Sequence, residues 1–67
     1  MGVIIIREMV GISPRSWSDA ARQAVATASK TVRNIQTVDV VKSSAVVENG
    51  EIVEYRVDVK IGFEYEG

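Results

Sequence analysis

Period-two alternation dominates the C-terminal part of the chain. The odd positions from 53 to 65 are Val53, Tyr55, Val57, Val59, Ile61, Phe63 and Tyr65. The even positions from 54 to 64 are Glu54, Arg56, Asp58, Lys60, Gly62 and Glu64. Successive side chains of a strand point to opposite faces. The spacing therefore predicts a long strand over Ile52–Glu66, with one apolar face on a core and one face of alternating charge.

Upstream, residues 3–10 (Val-Ile-Ile-Ile-Arg-Glu-Met-Val) are β-branched at the start and predict a first strand, broken by Gly11-Ile12-Ser13-Pro14. The period then becomes helical from Pro14 to about Arg33. Trp17, Ala21, Ala24, Ala28, Thr31 and Ile35 form one stripe, flanked by Ala20, Val25 and Val32, while Arg15, Asp19, Arg22, Gln23, Ser29, Lys30 and Arg33 lie opposite. Two starts are open: Ser13 as N-cap with Pro14 at the first helical position, or a capping-box-like pair of Ser16 and Asp19. Lys30 and Arg33 are expected in the last turn, where cations favour the helix dipole. The alanines make a slim helix that a sheet can approach closely.

Asn34 is expected to close the helix, and Ile35–Val47 to form a second, less regular strand. Asn49-Gly50 between two extended runs is a strong hairpin signal, because a type I′ turn needs positive φ at both central residues. A two-residue turn pairs Val38 with Ile61, Val40 with Val59 and Val46 with Val53, and on the polar face Asp39 with Lys60 and Thr37 with Gly62. The same register would set Lys42 against Val57 and Val41 against Asp58, so a β-bulge is expected near 41–44. A right-handed crossover leaves the first two strands parallel, and the hairpin makes the third antiparallel to the second. The fold class is α+β: β-α-β-β, a three-stranded antiparallel sheet of order 1-3-2 packed on one helix, as one domain over 1–67.

Composition narrows what such a domain can do. With 67 residues and 46% hydrophobic positions, the chain carries more apolar surface than one small core readily hides, which favours self-association. There is no cysteine and no histidine, which removes disulfides, Cys/His zinc sites and the usual catalytic triads. Eight basic against nine acidic residues, evenly spread, leave no phosphate-binding footprint for nucleic acid. The apolar run Val3–Ile6 is too short for a signal peptide or a membrane span, so a soluble cytoplasmic protein is expected. The serines read as caps and surface residues, and no acidic pair is singled out for acid–base work; the chain is read as no enzyme. Glu54, Asp58 and Asp39 share the polar face and suit a hard cation such as calcium, or else form a charge ladder with Arg56 and Lys60. Trp17, Tyr55 and Phe63 read as core, Trp17 alternatively as subunit interface.

Gly11-Ile12-Ser13 before an Ala20-Ala21-containing helix, Thr31-Val32-x-Asn34-Ile35, and Tyr55-x-Val57-x-Val59-x-Ile61-x-Phe63 resemble the dodecins over nearly the whole chain. The resemblance implies a β-α-β-β subunit that assembles into a hollow homododecamer, and in the best-known members storage of paired flavins at subunit interfaces. Two family positions govern that ligand. A flavin-stacking tryptophan of strand two is Thr37 here, and a ring-binding glutamine of strand three is Arg56. Threonine offers no ring, and stacking is worth about 1–3 kcal/mol per contact, so the resemblance implies flavin affinity that is weak or lost, by about 10²-fold or more. Thr37 and Arg56 share the polar face but stand six residues apart along the hairpin, about 20 Å, so a ligand touching both positions needs two subunits. A tryptophan near the helix start without one in strand two is similar to the flavin-free branch called calcium dodecins. The implied roles are thus a shell with a binding, sequestering or structural function, a flavin store, or a calcium-binding assembly.

Overall fold

A computed structural model describes residues 2–65. The elements run β1 (Ile4–Ser13), α1 (Trp17–Ala28), β2 (Ile35–Glu48) and β3 (Glu51–Glu64), and the sheet order is β1-β3-β2 with both pairs antiparallel. The expected topology is therefore present, with β3 at the centre. The far end of the expected third strand, Glu66, lies outside the described residues.

The core forms where α1 crosses β3. Val57, Val59 and Ile61 are each 1% exposed and meet Ala20, Ala24 and Ala28, with Met9, Val25 and Ile35 packed at the margin. Each fully buried aliphatic side chain contributes on the order of 1.5–3 kcal/mol. The buried stripe is the strict i, i+4 row 20-24-28: of the expected row from Trp17 to Ile35 it keeps Ala24 and Ala28, and it takes in Ala20, which was expected on the flank. Ala21 is only half-buried, Trp17 is 41% exposed, and Thr31 lies beyond the helix. The reason sits in β1. Gly11 faces the helix, and a Cβ there would stand 2.0 Å from the Ala20 carbonyl oxygen and 3.1 Å from Ala24 Cβ. Only a side-chain-free strand residue admits that approach, so the helix turns Ala20 and Ala24 downward.

The helix is shorter at both ends than its periodicity predicts. Ser16, in extended conformation, is the N-cap and accepts from the Asp19 amide at 3.0 Å. Ser13 instead ends β1, and its buried hydroxyl donates to Asp19 Oδ2 at 2.6 Å while accepting from the Arg15 amide. At the other end the Ser29 hydroxyl donates to the Val25 carbonyl at 2.8 Å, and i→i+3 bonds from Lys30 and Thr31 tighten the chain out of the helix. Lys30 and Arg33 therefore follow the last turn and do not occupy it. Asn34 takes φ 61° immediately before β2 and does not cap the helix.

The hairpin closes at Asn49 (φ 53°) and Gly50 (φ 79°) as expected, with Glu48 opposite Glu51. Val38↔Ile61, Asp39↔Lys60, Val40↔Val59 and Thr37↔Gly62 pair as expected. The register then shifts between Val40 and Lys42, so Val41 is the extra residue and Lys42 faces Asp58 instead of Val57. The bulge keeps a lysine off the buried face. A second shift between Val46 and Val47 sets Val46 against Glu54, correcting the expected Val46–Val53 pair, and a third lies between Ile35 and Thr37. Tyr55 and Phe63 are half-buried at the two ends of the core row. Trp17 stands edge-on to Tyr55 (centroids 4.8 Å apart, 78°), and its indole N–H donates to the Ser44 carbonyl at 2.8 Å.

Candidate ligand-facing surface of the sheet

The face of the sheet turned away from α1 is built in cross-strand rows. Residues paired across a strand share a face, so the register orders them. Glu8, Lys60 and Asp39 form one row, which places a lysine between two carboxylates. Val10, Asp58 and Lys42 form the next, and Ile12, Arg56 and Ser44 the one after. Where opposite charges do meet across strands, such a pair contributes about 0.2–1 kcal/mol. The register thus sets opposite charges side by side, while the one ion pair within 4 Å among the described residues is Arg56 with Glu54.

Arg56 lies near one end of that face. Its Nε donates to Glu54 Oε2 at 2.6 Å, two residues along the same strand, and both side chains keep substantial exposure (48% and 31%). A pair this open is worth little in stability. It does engage Glu54, the first of the three carboxylates considered for a cation. The other two stand in different rows: Asp39 opposite Lys60, Asp58 opposite Lys42. Among the described residues no group of three or more Asp or Glu side chains comes together within one subunit.

Thr37 lies toward the other end, exposed and opposite Gly62. A Cβ at Gly62 would stand 2.6 Å from Thr37 Oγ1 and 3.2 Å from both Ile4 Cγ2 and Ile6 Cδ1. Gly62 thus lets the side chains of both neighbouring strands close over the central one, leaving a smooth patch of threonine and isoleucine. Gly62 stands six positions along β3 from Arg56, so within one chain the two site positions stay about 20 Å apart. They are not brought together.

One part of this face went unread in the sequence. Ile4, Ile6, Val10 and Ile12 of β1 all point to it, each about half exposed (51%, 50%, 52% and 49%). The face is a charged band bordered by an aliphatic one, interrupted by Glu8. The signal was present, since all the even positions of β1 from 4 to 12 except Glu8 are aliphatic. It was hidden because the odd positions Ile5 and Met9 are apolar too.

The family model for Dodecin matches residues 3–66. The chain belongs to the dodecin family. Among its relatives is a calcium dodecin from Mycobacterium tuberculosis (strain ATCC 25618 / H37Rv), 30% identical over 63 residues, which covers 94% of this chain and 89% of that protein. The dodecin of Streptomyces coelicolor superposes with a TM-score of 0.96 at 32% identity, covering 98% of this chain and 94% of that one. The structure of the M. tuberculosis calcium dodecin, described as calcium-chelating with a novel calcium-binding site, gives a TM-score of 0.83 at 31% identity, covering 96% and 91%. The dodecin subunit is thus shared throughout. No helix among the described residues is long and apolar enough to cross a membrane.

Proposed function

We propose that this dodecin is a non-enzymatic, cytoplasmic protein that acts as a homo-oligomeric shell, of twelve subunits, with a binding, sequestering or structural role and weak or no affinity for flavin. The observation that carries the assembly is the shape of the subunit. It measures 50 × 20 × 13 Å with a radius of gyration of 13.6 Å, against about 11 Å for a compact chain of this length. Its accessible surface of 4974 Å² exceeds by about 800 Å² the value expected for a folded monomer of its mass. An area of that size is about one partner's share of a standard protein interface. The excess has a definite source. The three-stranded part ends where Ser13 meets Tyr55, and the hairpin continues beyond it as a bare two-stranded arm. On that arm Val47, Ile52 and Val53 are exposed (60%, 48% and 42%). An isolated two-stranded ribbon is marginal in water, so the arm needs a neighbouring subunit.

Weak flavin affinity follows from the two family positions. Thr37 supplies no aromatic face, and Arg56 is tied to Glu54. Native mass spectrometry of the purified protein tests both halves of the proposal. Twelve subunits without a flavin mass are expected, whereas a stable monomer or dimer in moderate salt overturns the assembly. A yellow protein, or quenching of riboflavin fluorescence at low micromolar concentration, overturns the loss of flavin in favour of a flavin store.

Calcium binding is a second reading, favoured by the calcium dodecin relative and by the carboxylates of the outer face. Because Asp39, Asp58 and Glu54 stand in separate rows within a subunit, such a site would draw its oxygens from more than one subunit.

A further inference from the structure

A cleft of ≈ 290 Å³ opens beside the end of α1, on the helix side of the sheet and away from the ligand-facing surface. Arg7, Thr31, Arg33, Phe63 and Tyr65 line it. Arg7 pairs with Ile61 and so shares the helix-facing side of β1. α1 stops at Ala28, and the linker that follows brings Thr31 and Arg33 to the cleft.

Two guanidinium groups in one small cleft call for an explanation. Neither has a carboxylate within 4 Å among the described residues, where the one ion pair is Arg56 with Glu54. Glu64 also borders the cleft, but its carboxylate lies toward Gly2, with Oε2 2.7 Å from where a Cβ on Gly2 would stand. Compensation of the helix C-terminus does not account for them either. That effect is confined to the last turn, and the carbonyls of Val25, Thr27 and Ala28 already accept from the amides of Ser29, Lys30, Thr31 and Val32. Arginine forks match the planar oxygens of carboxylate and the oxygens of phosphate, and the Thr31 hydroxyl adds a donor. The volume lies at the bottom of the range for ligand sites, about 300–1,000 Å³, which suits a small oxyanion.

We propose that this cleft is a binding site for a small oxyanion, a carboxylate or a phosphate, held between Arg7 and Arg33. The site is made by one chain and is separate from the Thr37 and Arg56 positions, so it goes beyond the assembly proposed above and can stand without it.

The test is calorimetric titration of the full-length protein with inorganic phosphate and, separately, with citrate, at an ionic strength held constant with chloride. Saturable binding is expected for at least one of them, and which one answers tells phosphate from carboxylate. Arg7→Gln and Arg33→Gln should each weaken it tenfold or more, with Arg7→Lys and Arg33→Lys recovering part of the loss and serving where the Gln variants fold poorly. Arg15→Gln, which removes an exposed arginine elsewhere, should leave binding unchanged. A response to phosphate and citrate no greater than to chloride overturns the proposal, as does equal binding by the Arg7 and Arg33 variants. Binding that appears only in a Glu66→Gln variant also overturns it, because the chain would then supply its own counter-ion. Sizing the same samples separates the two claims: anion binding by a protein that is not a dodecamer removes the assembly alone.

Discussion

Two glycines set the geometry of this subunit, and each faces a different side of the sheet. Gly11 seats the helix: with the Ala20 carbonyl 2.0 Å from the place of its missing Cβ, any side chain forces α1 off the sheet. Gly11→Ala should therefore destabilise the fold by at least the 1–3 kcal/mol typical of overpacking, about, and equilibrium urea unfolding would measure it. An unchanged midpoint would show that α1 can shift at no cost. Gly62 acts on the other face, where it draws Thr37, Ile4 and Ile6 together. Thr37→Trp restores a ring at the position where flavin-binding dodecins stack their ligand. Riboflavin affinity, read by fluorescence quenching, should rise about tenfold, the equivalent of one stacking contact of 1–3 kcal/mol. No gain would mean that the Arg56–Glu54 pair, and not the missing ring, excludes the flavin.

Among the elements, the hairpin was the most legible and the helix the least. Asn49-Gly50 is a local signal, since positive φ at both positions suits these two residues and few others, and the turn forms where expected. The bulge near 41–44 was also readable, because a regular register would have driven Lys42 onto the buried face. The helix misled because Thr31, Val32 and Ile35 extend its apolar period past the point where Ser29 and the i→i+3 bonds end it. β1 misled in the opposite way. Gly11 looks like a breaker, yet it lies within the strand as the point of close backbone approach. The arm of the hairpin carries a prediction of its own. Ile52→Lys places a charge among Val47 and Val53 on the unsupported ribbon, and should lower the mass of the assembly in light scattering. Undiminished mass would exclude the arm as a subunit contact.

As a whole molecule, the subunit is an open half-structure: a sheet with α1 over β1 and β3, and apolar residues exposed on both faces of the rest. Val38 and Val40 of β2 remain 41% and 57% exposed on the helix side, and a shallow groove of ≈ 310 Å³ runs between Val38 and the Ala21, Val25 and Ala26 side of α1. In the proposed shell these are the surfaces that neighbouring subunits would cover. If calcium also joins subunits, titration with Ca²⁺ should give heat, and chelation should reduce the assembled mass. Absence of both removes the calcium reading while leaving the shell intact.

Local rules were enough for much of this protein. Alternation in β3, the Asn-Gly turn, the alanine helix and the lack of cysteine and histidine determined the strand order, the two faces of β3 and the exclusion of disulfides and of Cys/His metal sites. They act over a few residues, and no distant contact was needed to read them. Tertiary structure alone decided which helix row is buried, since that depends on Gly11, nine residues earlier in the chain than Ala20, meeting its carbonyl. It also decided that the outer face is half aliphatic, and that Arg7 and Arg33 share one cleft. Those results come from β1 lying beside β3 and from the linker crossing their ends, which are long-range placements no local period encodes.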